Sequence, residues 1–424
     1  MRTLARRAYD YISAFLRWIV LSVIVGAACG LVGTLFSVSI SCATRWREQL
    51  PWLIFLLPLG GLLIVLMYHW MKQPLTLGVD KLFLSIQEHS DVPAAMAPLI
   101  FLGTFITHLC GGSAGREGAA LQLGGTLGNR IAKALRLQDN DRDTMTLIGM
   151  GALFSALFGT PLTAILFVME VLALGHLSYS TFVPCLIASM TAYGVSALLN
   201  MKPESYALSA VPALSVRTVL MVGALAILCA MLSIVFCKVM HFSGKFMKER
   251  VKNDYMRAAV GGAAIILLTL LVGTRDYNGA GAAVIERAVS GSARPQDFLL
   301  KLLFTAITLS CGYKGGEIVP TFYVGATFGC VIGPLLGLDP AFAAAIAMVA
   351  TFCGNTNCPI ASIFLSIELF GTQALHLFVI ACAISYMLSG NSSLYHAQLL
   401  PDRELKLVRM NIPRGDRRGE ADAR

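Results

Sequence analysis

The sequence predicts an all-α, polytopic membrane protein built from two similar halves. Three observations carry this: the composition, the length of the apolar runs, and an internal repeat. Of 424 residues, 56% are hydrophobic and only 13% are charged, and the mean hydropathy is +0.70. Soluble domains carry about a quarter charged residues, so that class is excluded. The apolar residues gather in blocks: "WIVLSVIVGAACGLVGTLFSVSI" (18–40), "WLIFLLPLGGLLIVLMYHWM" (52–71), "LMVGALAILCAMLSIVF" (220–236) and "AAVGGAAIILLTLLVG" (258–273). Each is about long enough to cross a hydrocarbon core of about 30 Å at 1.5 Å per residue.

The segments follow in order. Residues 1–17 carry Arg2, Arg6, Arg7 and Arg17. Basic segments stay in the cytoplasm, so this is expected to be a cytoplasmic N-terminal segment. The first apolar block has no small-residue cleavage site followed by soluble sequence, which reads as a permanent helix rather than a signal peptide. Residues 18–237 form the first membrane repeat and 238–257, "KVMHFSGKFMKERVKNDYMR", a basic cytoplasmic linker. Residues 258–400 form the second repeat. A polar tail, 401–424, ends on the cytoplasmic side and is too short for a regulatory domain. Both termini are thus expected in the cytoplasm, in a multi-pass protein of the cell (inner) membrane. The net charge of +9 sets topology and gives no sign of a nucleic-acid partner. The eleven cysteines form no CxxC pair and lie mostly inside apolar blocks, as small packing residues do. They suggest no disulfide or metal site, and no cofactor is expected. His108, in an apolar helix, reads as a satisfied packing residue.

The repeat is visible within the chain. "MGALFSALFGTPLTAILFVMEVL" (150–172) lies over "MVATFCGNTNCPIASIFLSIELF" (348–370) at a shift of 198, matching Pro161 to Pro359 and Glu170 to Glu368. "AGREGAALQLGGTLG" pairs with "GGEIVPTFYVGATFG" (315–329), so that Gly115 and Glu117 fall on Gly315 and Glu317 at a shift of 200. Two similar halves are a transporter signature, in parallel or inverted relation.

Glycines this dense in apolar sequence break a membrane helix or let a backbone approach closely. Irregular backbone at membrane depth survives only where protein buries it or where it lines a watery cavity. The helix N-termini so created favour an anion, and one break per half would aim two of them at a common point. Pro161 and Pro359 fit two further helix starts, because proline suits a first turn. Glu117 stands in the first break, where a bound anion repels a carboxylate. When ionised it would take the anion's place, and when protonated it would leave. The bland alternative is a structural ion pair with Arg116, which adjacent residues on a helix make poorly.

These motifs, "GGSAGREGA", "GYKGGEIVP" with "GATFG", and "FGTPLTAILFVMEV", resemble the CLC family of anion channels and proton-coupled anion exchangers over roughly residues 15–400. The resemblance implies an inverted repeat of many tilted and broken helices, assembled as a homodimer with one pore per subunit. It implies Glu117 as the external gate. Around the anion it places Gly115, Arg116, Glu117 and Gly118 from the first motif, and Gly316, Glu317 and Ile318 from the second. It implies a C-terminal tyrosine hydroxyl on the anion, Tyr395 in preference to Tyr386.

Three departures point within the family. Glu170 is followed by Val171, so the inner glutamate of many chloride exchangers is missing. Glu317 stands where an apolar residue is usual. The Gly-Ser-Gly-Ile-Pro filter is replaced by "PLTLGVDKLFLSI" (74–86), with Thr76 and Leu77 where the chloride-holding serine would be. The first two resemble the bacterial fluoride/proton antiporter branch. The third lacks the serine, although that branch typically has methionine there. Thr76, Leu77, Val319 and Tyr323 are candidate pore-lining residues, and Glu117 and Glu317 the gating and proton-handling pair. The expected function is proton-coupled fluoride export, with fluoride or chloride, protons, a second copy of the chain and the lipid bilayer as partners. The alternative is a chloride-selective channel or chloride/proton exchanger. An enzyme is not expected: a membrane hydrolase using the two glutamates would lack a metal cluster, a Ser/His/Asp set or a Cys/His pair.

Overall fold

In lipid every backbone N–H and C=O must be satisfied within the protein, and apolar runs meet this by forming helices. The computed structural model describes residues 2–172, 179–208 and 211–399, with backbone alone for 2–8. The expected polar tail lies outside the described residues. Sixteen α-helices are present among these residues, and no strand. Six helices or helix pairs are long and apolar enough to cross a membrane, among them Pro51–Trp70, Val216–Arg250 and Asp254–Val272. Large apolar side chains such as Leu31, Leu35, Leu220, Leu267 and Leu271 are exposed on them. A water-soluble surface avoids that on this scale, and a lipid-facing one requires it.

The helices fall into two sets of eight in matching order. The first set is α1 (Arg2–Gln49), α2 (Leu57–Trp70), α3 (Val79–Gln87), α4 (Met96–Cys110), α5 (Glu117–Ala134), α6 (Asp139–Phe158), α7 (Pro161–Glu170) and α8 (Phe182–Leu198). The second is α9 (Val216–Arg250), α10 (Asp254–Val272), α11 (Ala282–Val289), α12 (Asp297–Ser310), α13 (Ile318–Ile332), α14 (Pro340–Thr356), α15 (Pro359–Phe370) and α16 (Leu375–Leu388). The basic N-terminal residues are the first turns of α1, and most of the basic stretch 238–257 continues α9, with only 251–253 between α9 and α10.

The repeated glycines have a packing reason. A Cβ on Gly124 would stand 2.1 Å from Gly149 O, and one on Gly128 2.0 Å from Met145 O. In the second half a Cβ on Gly325 would stand 2.7 Å from Ala347 O, and one on Gly329 2.3 Å from Ala343 O. Thus α5 lies directly on the backbone of α6, and α13 on that of α14, as small residues allow in membranes.

Both expected helix breaks are present. The chain between α4 and α5 meets the chain between α12 and α13 in an antiparallel bridge, Gly115 with Gly316. Each amide donates to the other carbonyl at 2.8 Å. Pro161 and Pro359 do begin α7 and α15, but these N-termini are already filled. Glu368 accepts from Leu162 N and Thr163 N at 2.8 Å each. Glu170 accepts from Ile360 N at 3.1 Å and Ala361 N at 2.8 Å. Each half caps a helix of the other, the i-to-j and j-to-i pattern of a two-fold axis.

Candidate functional site

Two cavities approach the Gly115–Gly316 bridge from opposite faces. One, about 570 Å³ and termed the outer cleft only because the other opens on the N-terminal face, is lined by Ile40, Ser41 and Thr44, near the end of α1 away from the N-terminus. It also holds Arg116, Glu117 and Val319. The inner cavity, about 200 Å³, is lined by Thr76, Leu77 and Asp80, after α2 has returned the chain to the N-terminal face, and by Glu317 and Tyr395. The segment leading into α3 therefore opens on one face, and its repeat equivalent, Ala280 and Gly281 with the first residues of α11, on the other. Equivalent segments on opposite faces make the repeat inverted, as the family resemblance implied and the internal alignment alone left open.

Glu117 is the first residue of α5 and has no exposed surface. Its Oε2 accepts from its neighbour's amide, Arg116 N, at 2.8 Å, and its Oε1 has no hydrogen-bond partner. The carboxylate thus occupies the Arg116 amide at the start of α5, one of those expected to face an anion. The ion pair with Arg116 is loose: Nε stands 3.6 Å from Oε1. The guanidinium instead donates to Ser37 Oγ at 3.1 Å and Glu204 Oε1 at 2.8 Å. Gly115 leaves room for the carboxylate, because a Cβ there would stand 2.4 Å from Oε2.

Not every expected anion contact is available. The amides of Gly115 and Gly316 are spent on each other, so these two residues clasp the breaks together rather than donate to an anion. Gly118 packs on Gly316 across the bridge. On the other side the first bond within α13 runs from Thr321 N to Glu317 O, 2.9 Å. The amides of Ile318 and Val319 precede it and have no acceptor four residues back in that helix.

Glu317 is the residue just before α13, its side chain makes no capping hydrogen bond to that helix, and it lines the inner cavity with Leu77, Thr76 and Tyr395. The Tyr395 hydroxyl is buried and has no partner. Its ring meets Phe83 of α3 edge-on at 5.3 Å. Asp80 accepts from Ala397 N at 3.1 Å, and Gln87 Nε2 donates to Ala397 O at 2.7 Å, so α3 holds the tyrosine's loop. Tyr386 lies on α16, outside this cavity lining.

Tyr323 lines neither cavity. It is fully buried behind Gly281, with Lys301 Nζ 5.1 Å from its ring centre. Sequence reasoning missed Asp80, Gln122 and Lys314 on the inner wall and Arg47 and Glu204 on the outer one. Lys314 stands two residues from Gly316 and was within reach of notice. Its Nζ donates to Leu75 O at 2.5 Å and lies 4.3 Å from the Tyr68 ring centre. Gln122 lies on α5 itself and Asp80 beside Thr76 and Leu77, while Arg47 and Glu204 come from segments that no motif marks.

The profile of the family described as voltage gated chloride channel matches residues 60–390. A Pseudomonas syringae pv. tomato protein described as a chloride/fluoride channel protein is 35% identical, covering 92% of this chain and 88% of its own. A Vibrio campbellii protein described as an H(+)/Cl(-) exchange transporter is 25% identical over 93% and 91%. Among solved structures, the crystal structure of a CLC-type fluoride/proton antiporter superposes with a TM-score of 0.88 at 34% identity, covering 91% of this chain and 98% of that one. A slow cyanobacterial Cl-/H+ antiporter superposes at 0.76 with 18% identity, which shows the shared fold alone.

Proposed function

The chain belongs to the voltage gated chloride channel (CLC) family, and we propose that within it the protein exports fluoride in exchange for protons. One observation carries this reading. Each helix break holds a carboxylate, Glu117 on the outer cleft and Glu317 on the inner cavity, with the Gly115–Gly316 bridge between them. A channel needs a gate; an exchanger needs protonatable groups reachable from both faces. The names of the relatives and the loss of a serine at Thr76–Leu77 support fluoride as the anion.

The proposed cycle follows from the contacts. Ionised Glu117 closes the path by accepting the Arg116 amide. Protonated, it loses that charge-assisted bond and swings away, and an anion takes the amide. Fluoride is small, hard and strongly hydrated, so it needs close donors to replace its water. It is also a strong acceptor toward a protonated carboxyl. The Tyr395 hydroxyl supplies a donor from the inner side. Glu317, beside the anion, cannot stay both ionised and dry, so it takes a proton from the inner cavity and carries it toward the bridge. We place the protein in the cell membrane as a homodimer with both termini cytoplasmic, as the basic N-terminus and the basic end of α9 support.

Purified protein in liposomes tests the reading through fluoride and chloride efflux, with and without a proton ionophore. Fluoride efflux that exceeds chloride efflux and drives uphill proton uptake is expected. Chloride flux outrunning fluoride flux would assign the chloride-selective alternative, and anion flux without proton movement would assign a channel.

A further inference from the structure

Beyond the two glutamates, the outer cleft holds a buried group without a role. His108 lies in the last turn of α4, has no exposed surface, and forms part of the cleft wall with Glu117. Its Nδ1 stands 2.9 Å from Thr104 O, one turn back. A carbonyl only accepts, so Nδ1 carries the proton, and in the neutral ring Nε2 is then a bare acceptor. Nε2 is the far corner of the ring from its own helix, and it is buried without a partner. The expectation of a satisfied packing residue holds for one ring nitrogen only.

Two other acceptors on the same wall share this condition: Glu117 Oε1 and Asn278 Oδ1. The asparagine's orientation is fixed, because its Nδ2 donates to Gly111 O at 2.8 Å and Thr269 Oγ1 at 3.3 Å. Buried acceptors without donors are costly and uncommon. Three on one cleft wall call for a proton or water to serve them. We propose that His108 Nε2 is the outer proton acceptor, passing protons between Glu117 and the water of the outer cleft; this rests on the proton-coupled reading above.

The transfer balances simply. Nε2 takes the proton from the Glu117 carboxyl, leaving a carboxylate and an imidazolium. It then releases that proton to cleft water, and the tautomer held by Thr104 is restored. Uptake runs in reverse. The charges around the ring favour transit over storage. Arg47 of α1 donates to His108 O at 3.0 Å, and Lys301 of α12 bonds Tyr277 O and Gly279 O. Both bond backbone carbonyls, and among the described residues neither forms an ion pair with a carboxylate. Glu204 is tied to Arg116, Asp276 to Arg287 and Arg294, and Glu48 and Arg275 face the same cleft.

The test measures fluoride-driven proton uptake in liposomes across external pH. His108→Phe removes both nitrogens and keeps a ring; it should slow coupled transport at least about tenfold, as loss of a proton-transfer group does, and flatten the dependence on external pH. Fluoride affinity by calorimetry should stay at the parent value. In a Glu117→Gln background, which exchanges no proton, adding His108→Phe should leave fluoride flux unchanged. His108→Gln, smaller and polar, should show the same flattened profile and keeps the test readable if the phenylalanine variant does not fold. A parent pH profile in His108→Gln, or an equal loss of flux in the Glu117→Gln background, overturns the role. A parent protein that moves no protons at all would instead overturn the exchanger reading.

Discussion

Glu117 holds its place through a single backbone donor, Arg116 N at 2.8 Å, and that bond exists for a carboxylate far more strongly than for a neutral group. Glu117→Gln therefore fixes the proposed gate in its neutral form. Proton coupling should vanish, and the anion flux that remains should lose its pH dependence; pH-dependent flux at the parent level would count against Glu117 as the gate. Tyr395 gives a second residue-scale prediction. Its buried, unpartnered hydroxyl is a donor awaiting an acceptor. A hydrogen bond to a charged group is worth about 1.5–3 kcal/mol, so Tyr395→Phe should weaken fluoride binding roughly ten- to a hundredfold. Calorimetry returning the parent affinity would reduce Tyr395 to packing. Glu117 stands out in the sequence as a lone carboxylate among glycines, whereas Tyr395 follows only from what the family resemblance implies. Asp80 and Gln87, which hold the tyrosine's loop, were not legible: they lie on α3, more than three hundred positions away, and nothing local marks the pairing.

At the scale of elements, the sequence showed where helices start but not what fills their ends. Pro161 and Pro359 announce α7 and α15, and Glu170 and Glu368 are visible as a repeated pair. That each glutamate caps the helix of the opposite half follows only from the two-fold arrangement. The caps make a stability prediction. Glu368 accepts two backbone amides and the Thr163 hydroxyl, so Glu368→Ala leaves an apolar helix start unsatisfied. It should cost about 1.5–3 kcal/mol, seen as a lower thermal midpoint in detergent with anion affinity unchanged. An unaltered midpoint would mean that water replaces the carboxylate at no cost. The glycines of α5 and α13 were read as breaks and close approaches. The break is real at Gly115–Gly316, while Gly124, Gly128, Gly325 and Gly329 serve helix-on-helix contact, a distinction that periodicity alone does not make.

At the scale of the molecule, the inverted repeat converts a duplicated motif into two opposed cavities. In the structure the halves correspond at a shift of 201, from the Gly115–Gly316 bridge through the starts of α5 and α13, Glu117 and Ile318. The expected pairing of Glu117 with Glu317 is therefore off by one residue, and Glu317 falls on Arg116. The two glutamates are neighbours in the repeat, one lining the outer cleft and the other the inner cavity. The duplication was plain in the sequence; the inversion came only through the family resemblance, because a shift of about 200 positions carries no information about which face a loop reaches. In the proposed cycle this division of labour between Glu117 and Glu317 couples protons to the anion. It is tested most directly by the proton-to-fluoride ratio of Glu317→Ala protein in liposomes, measured as proton uptake driven by an outward fluoride gradient. The parent should move protons uphill at a fixed ratio, and the variant should move fluoride without protons or stop, while its thermal midpoint shows a folded protein. Glu317→Ala protein that still pumps protons at the parent ratio would contradict the account.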